Sequence, residues 1–119
     1  MTLEQQRAQD VWQKSAGYKK EHVNAAKSMP ALIMNSGLMQ VLVYAEDKGK
    51  ERSEVARHLR QWLHQRFQPQ IRGHDFNSVM NALMAANPQQ YQAITQEALS
   101  WLRWMRQIAA ARYAEQGGK

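Results

Sequence analysis

The side chains that could do chemistry here are few in kind and weighted to one charge. Sixteen Lys and Arg face ten Asp and Glu, a formal charge of +6, with four His and no Cys. Without Cys there is no disulfide framework and no thiolate metal site. The imidazoles of His22, His58, His64 and His74 are potential metal ligands, yet no two of them stand four residues apart on a helix. His58 and His64, on one predicted helix, fall on different faces. General acid–base work needs two positioned groups. Asp10 with Glu21, or Glu46 with Asp47, are pairs on offer, and capping and solvation account for them more simply. Phosphate-binding loops and Gly-x-Ser-x-Gly nucleophile elbows are absent. The residues therefore point away from catalysis, metal and cofactor. What they supply is cationic surface, and Arg and Lys on helical faces neutralise phosphates, Arg pairing two oxygens at once.

The elements that must position those cations read as helices. Ala, Gln, Leu, Met, Arg and Lys dominate, and β-branched residues are scattered, so no strand is expected. A first helix is predicted from Thr2 to about Lys27, with Thr2 as N-cap and Gln5 completing a capping box. Gly17 falls inside it, and Arg7, Lys14, Lys20 and Lys27 run close to heptad spacing along its outer face. Pro30 then opens a second helix that Gly37 closes, and a third, fully buried helix starts at Leu38 and ends near Glu46 or Asp47. Asp47-Lys48-Gly49-Lys50 is a turn, and Ser53 caps a fourth helix that breaks at Gln68-Pro69. Asp75 caps a short fifth helix, with Val79, Leu83 and Met84 inward. Asn87-Pro88 starts a long last helix to about Ala114, and Gly117-Gly118-Lys119 is a frayed tail. The expected fold is all-α: one compact bundle of about six helices over residues 1–119, with long first and last helices. No run approaches the roughly 18 apolar residues of a membrane span, and the chain reads as cytoplasmic.

Charge placement nominates eight cations for an anionic partner, nucleic acid first: Lys14, Lys20, Lys27, Arg57, Arg60, Arg66, Arg103 and Arg106. The stretch between Val55 and His74 holds no acid and carries Arg57, Arg60, Arg66 and Arg72. Contacts to the backbone are expected, without base-specific readout. Among Trp12, Trp62, Trp101 and Trp104, which could stack on bases, Trp104 beside Arg103 and Arg106 is the one expected at the surface. Two other readings fit the composition. One is a helical adaptor whose basic face meets an acidic protein. The other is a DNA-binding helix-turn-helix, against which the apolar run Val41-Leu42-Val43-Tyr44 of the third helix argues.

Four segments carry a resemblance over nearly the whole chain. They are Leu3-Glu4-Gln5-Gln6-Arg7-Ala8, Met29-Pro30-Ala31-Leu32-Ile33-Met34-Asn35-Ser36-Gly37-Leu38-Met39-Gln40, Arg60-Gln61-Trp62-Leu63, and the block from Tyr91 to Trp104. In this order the sequence resembles the small all-helical subunit of the type III-B CRISPR effector, the Cmr RNA-targeting complex. The central pattern, Leu-Pro-x-x-Ile-x-x-x-Gly-Leu, is the most specific, here with Met29 in place of the leading Leu. The resemblance implies a non-catalytic subunit without cofactor that stacks with further copies of itself in a minor filament. Its partners would be CRISPR RNA, target RNA, and the backbone and large Cmr subunits, and it would have no membrane association.

Overall fold

The computed structural model describes residues 1–47 and 49–117. Among them six helices follow one another: α1 Leu3–Lys14, α2 Lys20–Ser36, α3 Leu38–Asp47, α4 Lys50–Arg66, α5 Phe76–Ala85 and α6 Pro88–Glu115. The long α6 is the axis. α1, α2 and α4 pack on it, α2 also packs on α4, and α3 and α5 close one end. A single core joins all six, centred on Trp62, Trp101, Met29, Leu59, Leu63, Leu102 and Met105.

The helix starts obey local chemistry. Thr2 and Gln5 form the reciprocal capping box, Asp75 accepts from the Ser78 N–H at 3.0 Å, and Asn87 and Gln90 cap α6 reciprocally ahead of Pro88. Each relieves backbone N–H groups that have no partner inside their helix. α4 departs from expectation. It begins at Lys50 behind Gly49, and Ser53 lies one turn inside. Of the turn and tail segments named from sequence, Lys48, Gly118 and Lys119 lie outside the described residues.

The largest correction concerns the first two helices. The long N-terminal helix does not form: α1 stops at Lys14, and the break lies at Gly17, whose φ is +78°. Pro30 does not open a helix but sits inside α2. An internal proline forfeits one backbone hydrogen bond and costs roughly 3 kcal/mol. Val23, Ala26, Met29 and Ile33 form one buried stripe across it, and that burial offsets the loss. Breaking at Gly17 lets Tyr18 turn inward, where its ring lies near-parallel to the imidazoles of both His22 and His58.

The α2–α3 corner is as expected. Gly37 adopts φ 89° and ψ 156°, a region only glycine enters freely, and its N–H donates to the Ile33 carbonyl at 2.7 Å. Tyr91 of α6 braces the corner, its Oη accepting from the Met39 N–H at 3.2 Å. α3 is less buried than its sequence implies. Leu38, Val41, Leu42 and Ala45 face the core, but Val43 and Tyr44 are nearly half exposed, as Met84 of α5 is more than half.

Replacing Gly37 with Ala is expected to cost about 2 kcal/mol in urea unfolding, from backbone strain alone. The added methyl would stand 3.7 Å from Tyr91 Oη, an ordinary contact. Gly17→Ala, where nothing lies within 4 Å of the added carbon, should cost about 1 kcal/mol. A Gly37 variant as stable as wild type would show that the corner relaxes freely.

Candidate nucleic-acid interface

Whether a cation can reach a partner depends on what already holds it. The strongest internal tie is the buried carboxylate of Glu97 in α6. Arg7 of α1 donates to it twice, Nε to Oε2 at 2.6 Å and Nη2 to Oε1 at 2.7 Å, and Trp62 of α4 donates its Nε1–H at 2.9 Å. Arg66 approaches from α4, its Nη2 3.7 Å from Oε1. Burial alone would push this carboxyl up, but the hydrogen bonds from Arg7 and Trp62 and the charges of Arg7 and Arg66 hold it below the usual range. The same hydrogen bond raises the Arg7 guanidinium's pKa further.

A second tie repeats the pattern. Asp10 of α1 accepts from the Trp101 Nε1–H of α6 at 2.8 Å and from Lys14 Nζ at 3.0 Å. Lys14 also donates to the His58 carbonyl of α4 at 3.3 Å, and its burial lowers its pKa despite Asp10. Asp10 thus serves packing, beyond the capping and solvation expected of it.

The nominated cations therefore divide. Arg60 is buried and Lys14 is partly buried. Arg60 is only 6% exposed, donates Nε to the His74 carbonyl at 3.0 Å and Nη1 to Glu46 at 3.3 Å, and lies over the Phe76 ring. Arg66 is partly covered beside Glu97, and its Nε is buried without a hydrogen-bond partner. Arg57 is exposed and loosely paired to Glu54 at 3.7 Å. Lys20, Lys27, Arg103 and Arg106 are exposed and make no ion pair among the described residues. Lys20 and Lys27 lie seven apart on α2, and Arg103 and Arg106 three apart on α6, so each pair shares a helical face. The common row expected of Arg7, Lys14 and Lys20 does not exist, because Lys20 stands on a different helix. Lys19, Lys50 and Arg72 are exposed cations that sequence reading did not nominate.

The tryptophans also sort differently from expectation. Trp104 packs partly against the core, whereas Trp12 is 56% exposed. Arg112 lies over its ring, 4.3 Å from the centroid. The signal for this was the outward face of α1, on which Trp12 falls with Gln9 and Gln13.

The histidines are structural ties. His22 Nδ1 accepts from the Lys19 N–H at 2.8 Å, leaving Nε2 to donate to Glu54 at 2.6 Å. That hydrogen bond from His22 is the main reason the Glu54 carboxyl lies below its usual range. Tyr18 Oη and His58 Nδ1 are 2.5 Å apart, and burial raises the phenol's pKa so that it keeps its proton. His64 donates to the Ile71 carbonyl at 2.7 Å. Among the described residues no three His, Asp or Glu side chains gather to hold a metal ion. Nor, among them, is any helix long and apolar enough to cross a membrane.

A small helical bundle with a basic surface, whose polar interior is spent on holding helices together, is the class that fold and site define. The chain matches the family model described as CRISPR-associated protein (Cas_Cmr5) over residues 3–112, and it belongs to that family of small Cmr-complex subunits of CRISPR defence. Its fold matches the crystal structure of a CRISPR-associated Cmr5 family protein from Thermus thermophilus. The TM-score is 0.78 and the identity 24%, covering 93% of this chain and 97% of that one. No curated protein matches the chain.

Two outcomes test this electrostatic frame. Glu97→Gln leaves the Arg7 guanidinium without its counter-charge and should cost about 3 kcal/mol. Combining it with Arg7→Met should cost less than the sum of the two single changes. Full additivity in urea denaturation would show the pair to be uncoupled. The second outcome concerns pH. Burial first, then the charge of Arg57, pushes the His58 imidazole down from 6.5 to about 4. Between these values the unfolded chain binds a proton that the folded chain refuses, so stability falls as pH drops through the window. The loss should be about 2 kcal/mol after allowing for partial exposure. His58→Asn, which retains an acceptor toward Tyr18, should flatten this part of the pH–stability curve.

Proposed function

We propose that this chain is a non-catalytic subunit that stacks with copies of itself along a type III-B CRISPR effector in the cytoplasm. In that position it contacts the phosphate backbone of guide or target RNA. The observation that carries the reading is the division of charge. Asp10, Glu46, Glu54 and Glu97 are committed to Lys14, Arg60, His22 and Arg7, while Lys20, Lys27, Arg103 and Arg106 stay exposed and outside any ion pair among the described residues. The positive excess is thereby concentrated on helical faces, where it attracts a polyanion without reading its bases. Family membership supports the assembly, with Cmr backbone and large subunits as partners. Arg57, exposed on α4, adds a further cation. Lys14 and Arg60 are spent on internal ties, and Arg66 is partly covered beside Glu97.

The test is RNA binding by the assembled complex carrying Lys20→Glu, Lys27→Glu, Arg103→Glu and Arg106→Glu together. Affinity should fall, and the slope of log affinity against log salt should shrink by about one for each phosphate no longer neutralised. Unchanged affinity and slope in a complex of full composition would overturn the reading.

A further inference from the structure

Among the described residues Trp12 is the one tryptophan that is more than half exposed. Trp62 and Trp101 are fully buried and Trp104 is packed against the core. It sits in the last turn of α1, where backbone carbonyls lack helical partners. Its own carbonyl accepts from Ser15 Oγ at 3.3 Å and from an Arg112 guanidinium nitrogen. Arg112 thus caps the negative end of α1 and lies over the indole, its Cζ 4.3 Å from the ring centroid. The guanidinium holds the ring there, and Trp12 as a residue stays more than half exposed. A shallow groove runs beside it, lined by Trp12, Ala111, Arg112, Glu115 and Gln116.

We infer that Trp12, backed by Arg112, is a stacking platform for an unpaired nucleobase of the bound RNA. This deepens the proposed function and rests on its RNA-binding reading. A flat π surface already held by a guanidinium stacks a base at little ordering cost. The surroundings supply partners for a base edge. Gln9 and Gln13 on the exposed face of α1, and Gln116 on the groove, offer amide donors and acceptors. Glu115 repels phosphate there, while its carboxylate accepts from the N–H groups of a base edge. The site therefore suits a base turned out of a duplex or lying in a single strand, and the phosphate contacts belong to the cationic faces elsewhere.

The test uses the full-length chain with two probes, a short oligoadenylate and an RNA duplex of the same phosphate count, at low salt. Trp12→Ala should weaken oligoadenylate binding about tenfold and leave duplex binding unchanged, and Trp12→Phe should retain most of the affinity. The fold should survive, because Arg112 caps a backbone carbonyl that the substitution keeps. In wild type, the Trp12 ring signals should shift upfield in NMR spectra when oligoadenylate binds. Binding of both probes with unmoved Trp12 signals, or equal losses on both probes in Trp12→Ala, would overturn the platform and leave the phosphate reading intact. Failure of wild type to bind either probe would overturn both. Trp12 signals that move only when other subunits of the complex are added would assign the indole to a protein contact, and so overturn the platform as well.

Discussion

One buried carboxylate organises this molecule. Glu97 lies in the middle of the longest helix and is hydrogen-bonded from α1 by Arg7 and from α4 by Trp62. Apolar packing alone would let helices slide and rotate at small cost, since hydrophobic attraction has no direction. A charged acceptor out of water penalises any arrangement that leaves it unmet. α1 shows the consequence most clearly, because Val11 is the only one of its apolar side chains that is fully buried. Its position on α6 is set by Arg7 to Glu97 and by Asp10 to Trp101, a pairing that rises in step along both helices.

The same economy decides which charges face outward. A basic protein this small cannot bury many ions, so each acid drawn inside takes a cation with it or accepts N–H donors in its place. Glu97 takes Arg7 and Asp10 takes Lys14, while the buried Arg60 is met by Glu46 at the surface. The cations left over on α2 and α6 stay exposed and outside any ion pair among the described residues. Stability and surface potential are two results of one distribution of acids.

How much of this the sequence disclosed follows from the range of each interaction. The caps at Thr2, Asp75 and Asn87 involve partners three residues away, and they are legible, as is the glycine corner at Gly37. The choice between Gly17 and Pro30 as the break is not. It is settled by whether residues on either side of Pro30 share one buried stripe, which depends on α4 and α6. Arg60 reads like its neighbour Arg57, and only the distant His74 carbonyl and Glu46 separate them. Val43 and Tyr44 read as core because they are apolar, yet α3 has a covered face and an open one. Trp12 and Trp104 exchange places for the same reason: periodicity gives a face, and the packing partner decides which face is covered.

The pairing of α1 with α6 also bears on how the molecule is made. Arg7 and Glu97 are separated by 90 positions, and Asp10 and Trp101 by 91. On the ribosome α1 is therefore finished long before its docking groove exists. Isolated in water, a helix of 12 residues is marginal. The growing chain must carry it as an unfixed segment while α2 to α5 gather. The final bundle closes only when the middle of α6 has emerged, so assembly into a larger particle follows translation of that helix and does not accompany it.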